Sequence, residues 1–236
     1  MIIGWKETGT YHLSGGVPCQ DSFSWGEKNG ASAISLCDGA GSYPQSEIAS
    51  NAVSIAVAEY AAANFDELYA LEDFGLKQRF IALAKQAVEE KNPFLHAKCT
   101  LLVFARKNSR SFLLHIGDGG AIGVDEGGTP SVISYPENGA SSNITFFLDG
   151  LKAEQHLRLK RDVHDHLSSI LLCSDGVFGS LYDNAGTIAP AVAIMNSWLR
   201  SGNQEAAQEK LCRAMKNIFA ENTADDISII MQSFEN

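Results

Sequence analysis

The order of segments predicts an α+β fold, with sheets packed on one another and helices outside. Short apolar runs recur along the chain, three ending in turn residues, at 33–37, 113–116 and 170–173, and a fourth, 227–231, preceded by acids instead. Helical stretches come as one pair in the first half and another before the last strand. They do not alternate with strands, which disfavours a doubly wound parallel sheet. At 236 residues and 45% apolar content, 1–236 is read as one domain with a substantial core.

Residues 2–10 read as an opening strand, and Gly15-Gly16-Val17-Pro18 as the loop after it. Strands are expected at 22–27 and 31–37, joined at Asn29-Gly30, a strong hairpin signal. From 46 to 64 the apolar residues fall at helical spacing, as at Ile48, Ala52, Ile55, Ala56 and Tyr60. A second helix is expected over 71–91, stopped by Asn92-Pro93. Strands follow at 99–106, 111–117 and 121–125. The polar, glycine-bearing segment 135–143 is a candidate flap. Further strands are expected at 144–148, 157–162 and 168–174, helices at 186–200 and 203–220, and a closing strand at 227–232. There is no repeat, low-complexity tract or linker.

The strand ends carry the chemistry. Asp38-Gly39 closes one apolar run, Gly117-Asp118-Gly119-Gly120 another and Ser174-Asp175-Gly176 a third. Asp225-Asp226 opens the last strand and Gln20-Asp21 an early one. A single Asp-Gly after a strand is more often a turn. Five acidic positions at strand ends point instead to carboxylates converging on one rim of a sheet. Such a cluster repels itself unless cations neutralise it, and all-oxygen ligation suits Mg2+ or Mn2+. Asp225 and Asp226 compete for one place, because neighbours on a strand face opposite ways.

The net charge of −10 argues against nucleic acid or an anionic membrane surface. The five cysteines have no zinc spacing and read as free thiols of a reducing compartment, so a cytoplasmic location is expected. No basic-then-apolar leader opens the chain, and no apolar run reaches membrane-spanning length. Glu47 reads as a solvated first-turn acid. His164 and His166 read as two faces of a strand or loop. His12, near the opening motif, is a candidate proton donor to a leaving group. Ser174 is in no nucleophile elbow, and no lysine follows Gly117–Gly120 to make a phosphate-cradling loop.

Together these motifs resemble the ordered motifs of the metal-dependent serine/threonine protein phosphatases, the type 2C class, over about residues 10 to 232. Cys19-Gln20-Asp21-Ser22-Phe23 is similar to the family's opening motif and Cys99-Thr100-Leu101-Leu102 to its strand before the glycine-aspartate turn. The length and the Gln-Asp variant are most similar to the compact bacterial branch. The resemblance implies a four-layer α-β-β-α sandwich of two mostly antiparallel sheets flanked by helix pairs. It also implies hydrolysis of phosphoserine and phosphothreonine in proteins, through a hydroxide bridged by two Mn2+ or Mg2+ ions. Asp38 would bridge the ions and the Gly39 carbonyl would bind one, with Asp175 and Asp225 completing the other's shell. Asp21 would act through water on the opposite side, and Asp118 corresponds to a third, weaker ion. The implied partner is a phosphoprotein linked to a Ser/Thr kinase.

This chain departs from the pattern at four places. Gln20 replaces a glutamate, Gly16 stands where many members carry a phosphate-gripping arginine, and Ala40-Gly41 follows the Asp-Gly pair. Gly179 replaces another aspartate, which weakens the case for a third ion. Gln20 and Gly16 favour a second reading, a catalytically weak binding or regulatory module. The retained aspartates favour the enzyme.

Overall fold

The computed structural model describes residues 1–139, 145–163, 166–183 and 185–234. Among these, ten strands form two five-stranded antiparallel sheets. In one, β1 (Ile2–Glu7) pairs β10 (Ile227–Ser233), followed by β9 (Leu167–Cys173), β6 (Gly120–Asp125) and β7 (Pro130–Ser134). In the other the order is β2 (Asp21–Lys28), β3 (Ala31–Asp38), β4 (Leu101–Lys107), β5 (Arg110–Ile116) and β8 (Arg158–Arg161).

Both faces of the central strands are buried, and the period of two divides their side chains between layers. On β3, Ala31, Ala33 and Cys37 meet the helices, whereas Ile34 and Leu36 meet the opposite sheet. On β9, Leu171 and Cys173 face helices while Ile170 and Leu172 face inward. The middle layer, with Ile2, Leu102, Phe104, Leu113 and Ile230, joins the two sheets. The predicted four-layer sandwich therefore stands.

The helices α2 (Ser46–Ala63) and α4 (Asp73–Lys91) cover the β2–β3–β4 side, sharing a core with Phe65, Phe80 and Phe112. Helix α2 is alanine-rich where it lies on the sheet, and a Cβ on Gly26 of β2 would come within 2.8 Å of the Ala58 carbonyl oxygen. The helices α7 (Ala191–Leu199) and α8 (Gln204–Ala214), with a π-turn at Met215–Phe219, cover the other sheet. Four short helices complete the set: α1 (Thr10–Gly15), α3 (Phe65–Ala70), α5 (Ala153–His156) and α6 (Asp175–Leu181).

Several expectations need correction. The opening strand stops at Glu7 rather than running to residue 10, and the unexpected short helix α1 intervenes before the loop expected at 15–18. Gly16 caps α1 at φ +67°, a left-handed conformation suited to glycine, so this position has a backbone role. The helix expected at 186–200 starts at Ala191, because Ile188 pairs with Tyr182 and Pro190 supplies the helical start. Within 145–148 no strand forms. Thr145 makes a single bridge to Asn138, and Leu148 is tied by its N–H to the Cys99 carbonyl at 3.1 Å. Residue 144 of that predicted strand, residues 140–143 of the predicted flap and His164 lie outside the described residues. Edge strand β7 lies where no strand was expected, and it begins at Pro130, which is tolerated at a sheet edge.

Candidate active site

The two sheets end together at one rim, where every sequence-predicted acidic position gathers. The hairpin register sets Asp21 directly opposite Asp38. Both share strand parity with residues of the middle layer, Asp21 with Phe23 and Asp38 with Leu36, so the two carboxylates point between the sheets. Cross-strand neighbours lie about 5 Å apart at Cβ, close enough for like charges to repel strongly. Asp118 comes from the turn joining β5 to β6, the crossing from one sheet to the other. Asp175 begins α6 directly after β9.

Carboxylate oxygens of Asp38, Asp118 and Asp175 all lie within 4.8 Å of one another, close enough to hold a metal ion between them. A cleft of about 810 Å3 opens over them, and Gln20, Gly39, Thr100, Thr145, Asp225 and Asp226 also line it. Among the described lining residues His12 is the only basic side chain.

Electrostatics match this crowding. Burial, then the charges of Asp21, Asp175, Asp118 and Asp225, hold the Asp38 carboxyl well above the usual range. Burial followed by Asp118, Asp225 and Asp21 pushes Asp175 up to about 7. Asp21 rises to about 6, chiefly through burial, with the Ser228 hydroxyl pulling it back and Asp226 adding to the rise. Burial also raises Asp118, against a hydrogen bond from the Thr145 hydroxyl to Asp118 Oδ2.

Backbone and hydroxyl contacts hold the loops that carry these side chains. Asp38 N–H donates to Thr100 Oγ1 at 3.0 Å, and Thr100 N–H returns a bond to the Asp38 carbonyl at 2.9 Å. The Gln20 carbonyl accepts from Gly39 N–H at 3.1 Å and from the Ser50 hydroxyl at 2.5 Å, joining the opening loop to β3 and α2. The Gln20 side chain is buried, yet its Oε1 has no hydrogen-bond partner among the described residues, and neither has Asp118 Oδ1. Buried acceptors without donors cost free energy and fit cation ligation.

The Asp225–Asp226 ambiguity separates cleanly. Asp226 is 3% exposed; its Oδ1 accepts from Gly9 N–H at 2.8 Å and its Oδ2 from Gln20 N–H at 2.6 Å. His12 Nδ1 lies 3.0 Å from the same Oδ2. Asp226 is thus committed to the opening loop, while Asp225 is exposed in the cleft and adds to the charge felt by Asp38 and Asp175. Sequence reasoning missed this anchor and the Thr145 contact. Glu47 stands in the first turn of α2 and does not line the cleft.

The model of the family described as protein phosphatase 2C matches residues 8–216. The chain therefore belongs to the protein phosphatase 2C family, whose members are protein serine/threonine phosphatases. No curated protein sequence matches it. Among solved structures it is similar to the serine/threonine phosphatase Stp1 from Staphylococcus aureus, at 14% identity and TM-score 0.61, covering 100% of this chain and 95% of that one. It is similar to the catalytic domain of the serine threonine protein phosphatase PstP, crystallised with two manganese ions, at 19% identity and TM-score 0.63, covering 98% and 96%. It also resembles RsbX, crystallised with magnesium, at 14% identity and TM-score 0.57, covering 98% and 92%. At these identities the structural matches carry the fold. No helix among the described residues is long and apolar enough to cross a membrane.

Proposed function

We propose that this chain hydrolyses phosphoserine and phosphothreonine in proteins with two divalent cations, Mn2+ or Mg2+, held at the carboxylate rim. The observation that carries the reading is the convergence of Asp38, Asp118 and Asp175 within 4.8 Å under an acidic cleft. PstP, which shares the fold, is crystallised with two manganese ions. Bound cations supply positive charge for the phosphate and lower the pKa of water so that it attacks at neutral pH.

Asp38, central to the cluster, would be the main residue to hold the ions, together with the Gly39 carbonyl. Asp175 and Asp225 approach from the opposite sheet, and Asp118 joins them from the crossover turn. Gln20 Oε1 and Asp21 sit beneath, a neutral and a charged oxygen donor on the β2 side. Without cations the carboxylates repel a phosphate dianion; with them they fix the positions of positive charge, and the rigid strand ends hold that geometry. Gly41 and Ala40, small residues lining the cleft, would leave room for the phosphoryl group, and Tyr11 and Phe147 are the lining residues that would face the peptide around it.

The test is hydrolysis of p-nitrophenyl phosphate and of a phosphothreonine peptide, with Mn2+ or with chelator. Wild type needs the metal, and Asp38→Asn loses at least ~10³-fold in kcat/KM, on the order of what removing a main charge-stabilising group costs. Normal turnover by Asp38→Asn, or activity in chelator, refutes the proposal. A fully folded wild type that binds Mn2+ and hydrolyses neither substrate favours the regulatory-module reading.

A further inference from the structure

Two buried side chains, His12 and Gln20, bring their tips together at the cleft, and His12 is the one that the carboxylate cluster leaves without a role. A Cβ placed on Gly41 would lie 3.8 Å from His12 Nε2 and 3.5 Å from Gln20 Oε1, so both tips converge over the same floor residue. His12 is 8% exposed on α1, and its other nitrogen lies 3.0 Å from Asp226. Asp226 is itself held by two backbone N–H groups, so the carboxylate is a fixed post beside the ring. Among the described lining residues there is no lysine or arginine, and Gly39, Ala40 and Gly41 offer no side-chain donor. Thr100 accepts from Asp38 N–H, Thr145 donates to Asp118, and Tyr11 and Ser42 lie on the exposed rim.

Resting on the phosphatase reading above, we propose that His12 is the catalytic residue that protonates the departing serine or threonine oxygen, with Asp226 as its positioning residue. An alkoxide is a poor leaving group, and a positioned acid contributes ~10²- to 10⁴-fold. In the step, the oxygen of the attacking water bonds to phosphorus while the bond from phosphorus to the side-chain oxygen breaks. The electron pair of that bond stays on the leaving oxygen, which takes the proton from His12 Nε2. The proton given up by the attacking water returns to His12 through solvent. Phosphomonoester and water become alcohol and inorganic phosphate, with no other reactant. The carboxylate beside Nδ1 orients the ring and balances its charge when it carries the proton, the division of labour of histidine–aspartate pairs in hydrolases.

The test compares leaving groups in wild type, His12→Gln and His12→Asn with saturating Mn2+. p-Nitrophenolate departs without a proton, whereas a threonine alkoxide needs one. The expected result is ~10²-fold or greater loss of kcat on the phosphothreonine peptide and a loss of ~10-fold or less on p-nitrophenyl phosphate. The Mn2+ concentration at half-maximal activity stays at the wild-type value. The ratio of the two losses is read within each variant, so it does not depend on how much of that variant folds. Equal losses on both substrates, an undiminished peptide rate, or a shifted Mn2+ midpoint overturns the role of His12. Wild type lacking metal-dependent hydrolysis overturns the parent reading and this one with it; a metal-dependent wild type with a flat substrate ratio in the variants overturns His12 alone.

Discussion

Removing divalent cations makes the protein less stable as pH rises, and the cluster sets the size of the effect. Asp175 titrates at about 7 in the folded chain and Asp21 at about 6, against ~3.9 for an unfolded aspartate. Between ~4 and ~7 the folded chain binds more protons than the unfolded one, so stability falls through that window as pH increases. At ~1.4 kcal/mol per pH decade, Asp175 alone gives ~4 kcal/mol and Asp21 ~3 kcal/mol. Between pH 5.5 and pH 8 only the upper part of that window counts, ~2 kcal/mol from Asp175 and under ~1 kcal/mol from Asp21; the carboxylates share protons, so these do not simply add, and on the order of 2 kcal/mol is expected for the cluster. For a chain of this size that is ~4–8 °C in melting temperature. The assay is a thermal melt in chelator at pH 5.5 and pH 8, for wild type and Asp38→Asn. Wild type melts lower at pH 8, and the variant shows a shallower slope because one charge has left the centre. Saturating Mn2+ flattens the wild-type slope, adding ~4 kcal/mol at a thousand times Kd. A chelated wild type at least as stable at pH 8 as at pH 5.5, or a variant with the same slope, refutes the reasoning.

Two further outcomes follow from particular contacts. Gln20→Glu puts a charge where an unpartnered amide oxygen now sits. It lowers the melting temperature in chelator and lowers the Mn2+ concentration needed for half-maximal activity, and an unchanged midpoint would remove Gln20 from the ligand set. Phe112→Ala opens a hole between Phe65 and Phe80, whose ring centroids lie 5.6 Å and 5.9 Å from that of Phe112. A loss of ~3–5 kcal/mol is expected, read as a lower urea midpoint at unchanged slope.

Asp38, Asp118 and Asp175 were legible because each ends an apolar run at a glycine turn, a pattern that reports both the strand and its exit. The pairing of Asp21 with Asp38 was available too, since counting outward from the Asn29-Gly30 turn brings them opposite. The choice between Asp225 and Asp226 was not legible. It depends on Gly9 and Gln20, more than 200 residues away. No local pattern carries such a contact. The short helices α1, α3, α5 and α6 were missed or merged because four to seven residues contain less than two turns of periodicity. Their position is set by the tertiary structure around them. The predicted strand before Leu148 failed for a related reason. Apolar residues were present, but Thr145 is engaged with Asp118 and Leu148 with Cys99, so there was no neighbouring strand to complete a ladder.

The contacts of Asp226 also bear on the order of events during synthesis. Gly9 and Gln20 wait for a carboxylate that leaves the ribosome 217 and 206 residues later, and β1 waits equally long for β10. Closing loops of that length is slow compared with local hairpins and helices. The β2–β3 hairpin, with α2 across it, can form while most of the chain is still being made, bringing Asp21 and Asp38 together without His12 or Asp225 in place. A nascent chain therefore passes through a stage that has the first carboxylates and cannot turn over substrate. Activity arrives in one late step, when the final strand docks and ties down the opening loop.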